Sequence, residues 1–288
     1  MVKFRNAGLS FAAAIFIAAV ATAHASEDGC KTRLVGGINT WRTIGPGMEV
    51  RKIQIRFEDG TTSRMTAARL DPDQFDIRLR WQAGKNIRSE AVRIIAQMTK
   101  AAVVVNAGYF DEKGRPLGYF RTADTIFNSR LLFRGRRRAL HLGAVFYVLK
   151  GSGKVGIATR EDFDSKGVRE AFQAGPYLVR GGRPDPGLDA YREYRRADRR
   201  TILAFGEKGR LIFMVSEEIG RGISWCELQN FLVRSELDGG LGAIEAMNLD
   251  GGSSSQLVVQ GDGYLTFLAG RIVPALVLAV PRGGGGGS

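Results

Sequence analysis

Ala101-Ala102-Val103-Val104-Val105-Asn106-Ala107-Gly108-Tyr109-Phe110-Asp111 is the stretch from which the fold is read. Residues 101–105 form a short strand with no polar face, and such a strand needs cover on both sides. Polarity then switches, with Asn106 and Asp111 following the buried strand, where ligand sites commonly form. Ala246-Met247-Asn248-Leu249-Asp250-Gly251-Gly252-Ser253-Ser254-Ser255 repeats the design. Alternation places Asn248 and Asp250 on one face of that strand and Glu245 on the other. Gly251 and Gly252 let backbone N–H groups converge on an anion, and Ser253 and Ser254 add donors. The plain alternative for each stretch is an Asx or glycine turn.

Outward from these two points, residues 48–57 alternate and Glu58-Asp59-Gly60 turns the chain, so a hairpin into 61–70 is expected. Residues 75–81 alternate again. Residues 86–99 switch to helical period, with Ile87, Ala91, Ile94, Ile95 and Met98 as the apolar face. Further strands are expected at 124–133, 142–149, 155–158, 175–179, 201–205, 211–216, 243–249, 255–259 and 273–280. A helix is expected over Ser224–Leu237, with Trp225, Leu228, Phe231 and Leu232 inward. Strands outnumber helices, which predicts an α+β fold of mixed β-sheets with interspersed helices in a single domain.

Residues 1–25 combine Lys3 and Arg5, an apolar run and Ala23-His24-Ala25, the pattern of a cleaved secretory signal. The expected domain therefore covers 26–282, outside the cytoplasm, periplasmic or secreted, with no stable membrane span after cleavage. Residues 283–288, five glycines and a serine, read as a flexible linker. The 288 residues are 44% hydrophobic and 25% charged, which excludes global disorder. The formal charge of +13 falls to +11 when Lys3 and Arg5 leave, a bias toward anionic partners.

Cleavage leaves His141 as the one histidine, read as structural, so most zinc frameworks are excluded and no cofactor is expected, with a divalent cation left open. Whether Cys30 and Cys226 pair stays open. Gly151-Ser152-Gly153-Lys154-Val155-Gly156 fits a nucleotide fingerprint, which must open a helix. Ile157-Ala158-Thr159 reads as extended instead, so a hairpin turn is the better reading. Seven arginines lie between Arg115 and Arg138 against the single acid Asp124, and five between Arg192 and Arg200. These runs read as solvated or glycan-facing surface rather than a nucleic-acid site.

Residues 106–111 with Gly114-Arg115-Pro116-Leu117-Gly118 resemble a segment of the phosphodiester glycosidase family. Three further blocks lie in the family's order across 101–259: Gln173-Ala174-Gly175-Pro176-Tyr177-Leu178-Val179, Arg200-Thr201-Ile202-Leu203-Ala204-Phe205-Gly206, and Asn248-Leu249-Asp250-Gly251-Gly252-Ser253-Ser254. The chain departs from the family where Ser253 replaces a third glycine. The resemblance implies a hydrolase of sugar-1-phosphodiesters in glycan or exopolysaccharide metabolism, with a phosphorylated or acidic glycan as substrate. On that basis Asp250 is the expected catalytic carboxylate, Asp111 a second acid or site organiser, and Arg200 a phosphate clamp. Asn106 and Asn248 would orient sugar hydroxyls or water, and Gly251, Gly252, Ser253 and Ser254 would bind the anion. Two other readings stand beside it: a non-catalytic exported polysaccharide-binding protein, and a divalent-metal phosphodiesterase using Asp111 and Asp250.

Overall fold

The computed structural model describes residues 30–37, 40–82, 89–123, 125–132, 142–191 and 193–283. The signal-like segment, Ile87, Asp124, His141, Arg192, most of the arginine run at 133–138 and the glycine tail beyond Gly283 lie outside the described residues. In chain order the elements are β1 (Thr32–Gly37), β2 (Arg42–Thr43), β3 (Met48–Phe57), β4 (Thr62–Leu70), β5 (Phe75–Trp81), α1 (Ser89–Thr99) and β6 (Val103–Asn106). Next come β7 (Phe120–Thr122), β8 (Thr125–Asn128), β9 (Ala144–Leu149), β10 (Val155–Thr159), β11 (Val168–Ala174), β12 (Tyr177–Arg180) and β13 (Arg183–Pro184). The last are β14 (Thr201–Phe205), β15 (Leu211–Gly220), α2 (Trp225–Val233), β16 (Glu245–Asn248), β17 (Leu257–Gly261), β18 (Tyr264–Leu268) and β19 (Ala275–Pro281).

These strands make three sheets. The largest runs β1-β3-β4-β15-β14-β16-β12-β13, with β2 on β3; the others run β10-β9-β11-β7-β8 and β18-β17-β6-β19-β5. Strand pairing is antiparallel throughout the described residues, so the expectation of mixed sheets is corrected. The run of valines reported burial correctly and carried no information about direction. β6 sits between β17 and β19 with Val103 and Val105 in one core and Val104 in another. The Gly151–Gly153 segment turns β9 into β10, as the hairpin reading requires, with Leu149 N donating to Lys154 O at 2.8 Å.

The central core takes side chains from all three sheets, among them Val50, Phe213, Phe146, Phe172, Val105 and Val277. α2 covers the other face of the large sheet with Trp225, Leu228, Phe231 and Leu232, as its period predicted. Ser224 and Glu227 form a capping box that starts it. Phe231 is 1% exposed, and truncating it to alanine would cost about 3–5 kcal/mol. α1 departs from its predicted face: Val92, Ile95 and Ala96 pack on β6, β17 and β19, while Ile94 and Met98 are 53% and 80% exposed. Cys30 and Cys226 are joined in a disulfide, with Cα atoms 5.6 Å apart. Closing so long a loop is worth about 5 kcal/mol in the chain-entropy model. No helix among the described residues is long and apolar enough to cross a membrane.

Candidate active site

β14 and β16 place the two charged residues singled out from the sequence. Their antiparallel register pairs Ile202 with Asn248, so Arg200 and Asp250 leave the same end of the sheet opposite one another. Leu249 N donates to Thr201 O at 2.8 Å and carries the pairing one step further. β6 ends beside them, and Asp250 N donates to Ala107 O at 3.1 Å. The result is a cleft of about 610 Å³ lined by Tyr109, Arg196, Asp198, Arg200, Trp225, Asp250 and the turn Gly251–Ser254, with Leu117, Leu142 and Glu193 at its walls.

Asp250 lines this cleft, half-buried. Burial pushes its carboxyl up to about 6, against the opposing pull of hydrogen bonds from the Ser254 hydroxyl and the Gly251 N–H. A carboxylate of that basicity is ionised at neutral pH and still accepts a proton readily. Burial and the Asp250 charge raise the Tyr109 phenol, partly offset by Arg200, so Tyr109 stays protonated. Its hydroxyl donates to Gly175 O at 2.7 Å and accepts from Asn248 Nδ2 at 3.0 Å.

Arg200 is 9% exposed. Its Nε donates to Ile223 O at 3.0 Å and its Nη2 to Arg196 O at 2.7 Å, while the guanidinium lies 5.1 Å from the Trp225 ring centroid. Burial lowers its pKa from the usual value, with Tyr109 and Asp198 acting the other way, and the group remains a cation. The held edge leaves Nη1 without a hydrogen-bond partner among the described residues, and the guanidinium lines the cleft.

The other expected residues divide. Asn106 and Asn248 are each 1% exposed and tie the site's backbone together. Asn106 Nδ2 donates to Asp250 O at 2.7 Å, and its Oδ1 accepts from Thr201 Oγ1 at 2.9 Å and Gln256 N at 3.1 Å. Asn248 Nδ2 reaches Tyr109 and Gly175. In the glycine turn, Gly251 N–H serves the Asp250 carboxylate and Gly252 N–H donates to Arg199 O at 2.8 Å. A Cβ on Gly251 would stand 2.7 Å from Arg199 O, so that place requires glycine, and Gly252 has φ +56°, a conformation that favours it. Asp111 lines a different cleft. It accepts from Lys113 N and Arg115 N at 3.0 and 2.8 Å and pairs with the Arg115 guanidinium at 2.7 Å. Those bonds hold its pKa below the ordinary carboxylate value.

Sequence reasoning gave no role to Tyr109, Asp198, Arg196 or Glu193, and read Trp225 as core. Tyr109 stood inside the quoted motif, three residues beyond Asn106. Asp198 and Arg196 stood inside an arginine run read as surface. Among the described residues no group of three or more His, Cys, Asp or Glu side chains is arranged to hold a metal ion.

No curated protein matches the chain by sequence. The catalytic domain of zebrafish N-acetylglucosamine-1-phosphodiester alpha-N-acetylglucosaminidase, auto-inhibited by its pro-peptide, has a similar structure: TM-score 0.60 at 18% identity, covering 88% of each chain. A hypothetical protein from Synechocystis is similar with TM-score 0.54 at 18% identity, over 82% of this chain and 62% of that one. At such identity these likenesses establish a shared fold. The family model described as phosphodiester glycosidase matches residues 99–278, a span that holds β6, Arg200 and the Asp250 turn, and the chain therefore belongs to the phosphodiester glycosidase family.

Proposed function

We propose that the protein hydrolyses sugar-1-phosphodiesters of a glycan or exopolysaccharide outside the cytoplasm. The observation that carries this reading is a half-buried carboxylate of raised pKa, Asp250, in one cleft with a buried arginine, Arg200. The bond to be broken joins an anomeric carbon to a phosphate oxygen. Its leaving group is a phosphate monoester, stable as an anion, so strong acid assistance is unnecessary. Asp250 takes a proton from water as the water attacks the anomeric carbon. Arg200 neutralises the phosphate through the guanidinium group that faces the cleft. Tyr109, protonated between them, fixes the backbone at Gly175 and the Asn248 amide. Asn106, the glycine turn and the Ser254 hydroxyl hold Asp250 in place, and Ser253 presents its hydroxyl to the phosphate. No step calls for a cofactor, and Asp111 stands apart from this chemistry.

Methyl N-acetylglucosamine-1-phosphate, a diester with the smallest aglycone, tests the reading when turned over in ¹⁸O-water. C–O cleavage leaves the methyl phosphate product unlabelled. Label in the phosphate would show P–O attack and overturn the roles given to Asp250 and Arg200.

A further inference from the structure

A second cleft, of about 570 Å³, opens beside the first. Trp81 at the end of β5 and Phe127 on β8 form an aromatic wall, their ring centroids 5.8 Å apart, with Phe127 40% exposed. Lys113, Arg115 and Arg130 line the same cleft. Arg115 is paired with Asp111, whereas Lys113 and Arg130 have no ion pair among the described residues. The two clefts share a wall. Leu117 lines both, and Tyr109 faces the first while Asp111, two residues on, faces the second. Gln173 Nε2 donates to Leu142 O in the first at 2.7 Å and to Leu132 O in the second at 3.0 Å.

Aromatic faces receive the C–H faces of sugar rings, and unpaired cations receive their acidic groups. We propose that the second cleft is a subsite for the glycan on the leaving side of the phosphodiester, selecting a sugar unit that carries a negative charge. This rests on the hydrolase reading above, and it gives Lys113 and Arg130 a ligand. The shared wall lets a chain whose phosphate lies at Arg200 continue past Leu117 to Trp81.

Calorimetry on the full chain tests it with four probes: the methyl diester, the same sugar-1-phosphate esterified to a glucuronate-containing disaccharide, that disaccharide free, and a thymidine oligonucleotide. In an Asp250→Asn background, which slows turnover, the extended diester should bind at least about tenfold tighter than the methyl diester. Trp81→Ala and Arg130→Ala should each erase that advantage while leaving methyl diester affinity and the unfolding midpoint in place. Equal binding of the two diesters overturns the proposal, as does an advantage that survives both substitutions. Tighter binding of a thymidine oligonucleotide than of the disaccharide overturns the glycan assignment. If the parent protein cleaves neither diester, the hydrolase reading fails; free disaccharide bound in a Trp81-dependent way would still support the subsite, and its failure to bind would sink both.

Discussion

Asp250 and Asp111 end the same kind of segment, a short buried strand running into a glycine-containing turn, yet they finish in opposite electrostatic states. Asp111 receives two backbone N–H groups and grips an arginine, and its pKa falls. Asp250 is half-buried in its cleft with one hydroxyl and one N–H for company, and desolvation raises its pKa to about 6. One turn spends its carboxylate on holding its own shape. The other keeps a carboxylate in an unfavourable state and is held by partners elsewhere, above all Asn106. Poise toward a proton comes from how few donors a buried acid is given, and motif spelling does not reveal that.

The largest expected effect of breaking this contrast is on turnover. Asp250→Asn should lower kcat by about 10²–10⁴-fold, the usual worth of a general base. The same change should leave the unfolding midpoint at pH 7 unchanged or raise it. With the carboxyl near 6 in the fold and 3.8 unfolded, the native state binds the proton more tightly in that window. Stability therefore falls as pH rises through it, by at most about 3 kcal/mol, and Asn removes this cost. A lower midpoint with normal kcat would make Asp250 a turn residue.

Arg200→Lys should reduce kcat/KM by about 10²-fold, raising KM and lowering kcat together, because the clamp acts on ground state and transition state alike. An unchanged KM would move the phosphate elsewhere. Smaller again is the pH effect: kcat/KM should fall as pH drops through about 6 and Asp250 takes up its proton, and the pH–rate profile reads this directly. The smallest change is expected from Asp111→Asn, which should cost the methyl diester reaction less than about tenfold. Its stabilising contribution exists above the ordinary carboxylate pKa and is lost as pH falls below it, so the midpoints of parent and variant should converge in acid. A loss comparable to that of Asp250→Asn would bring Asp111 back among the catalytic groups.

Much of the architecture was legible. The β3–β4 hairpin, the Gly151 turn and the inward face of α2 came from local period and turn chemistry. β11 was missed because Glu170 interrupts its apolar pattern at a buried position, where it accepts from Leu79 N at 3.2 Å. The face of α1 was misread because Ile94 and Met98 are apolar yet exposed, while the small Ala96 packs inward. At the site, Asp250 and Arg200 were legible as strand-end residues. The separation of Asp111 from them was not, since it depends on which sheet each strand joins. Nor was the inward turn of Trp225 beneath Arg200, a meeting of a helix start with a strand start 25 residues apart.

The disulfide bears on when the site is completed. Cys30 is synthesised early, and its partner comes 196 positions later. Cys226 neighbours Trp225, whose ring supports the Arg200 guanidinium. The clasp can shut only after Cys226 and the start of α2 have been made, so the footing of the cation is tied down late in synthesis rather than at its beginning. A chain matured without an oxidant would carry every residue of the cleft and lack the last stitch that keeps one of its walls upright.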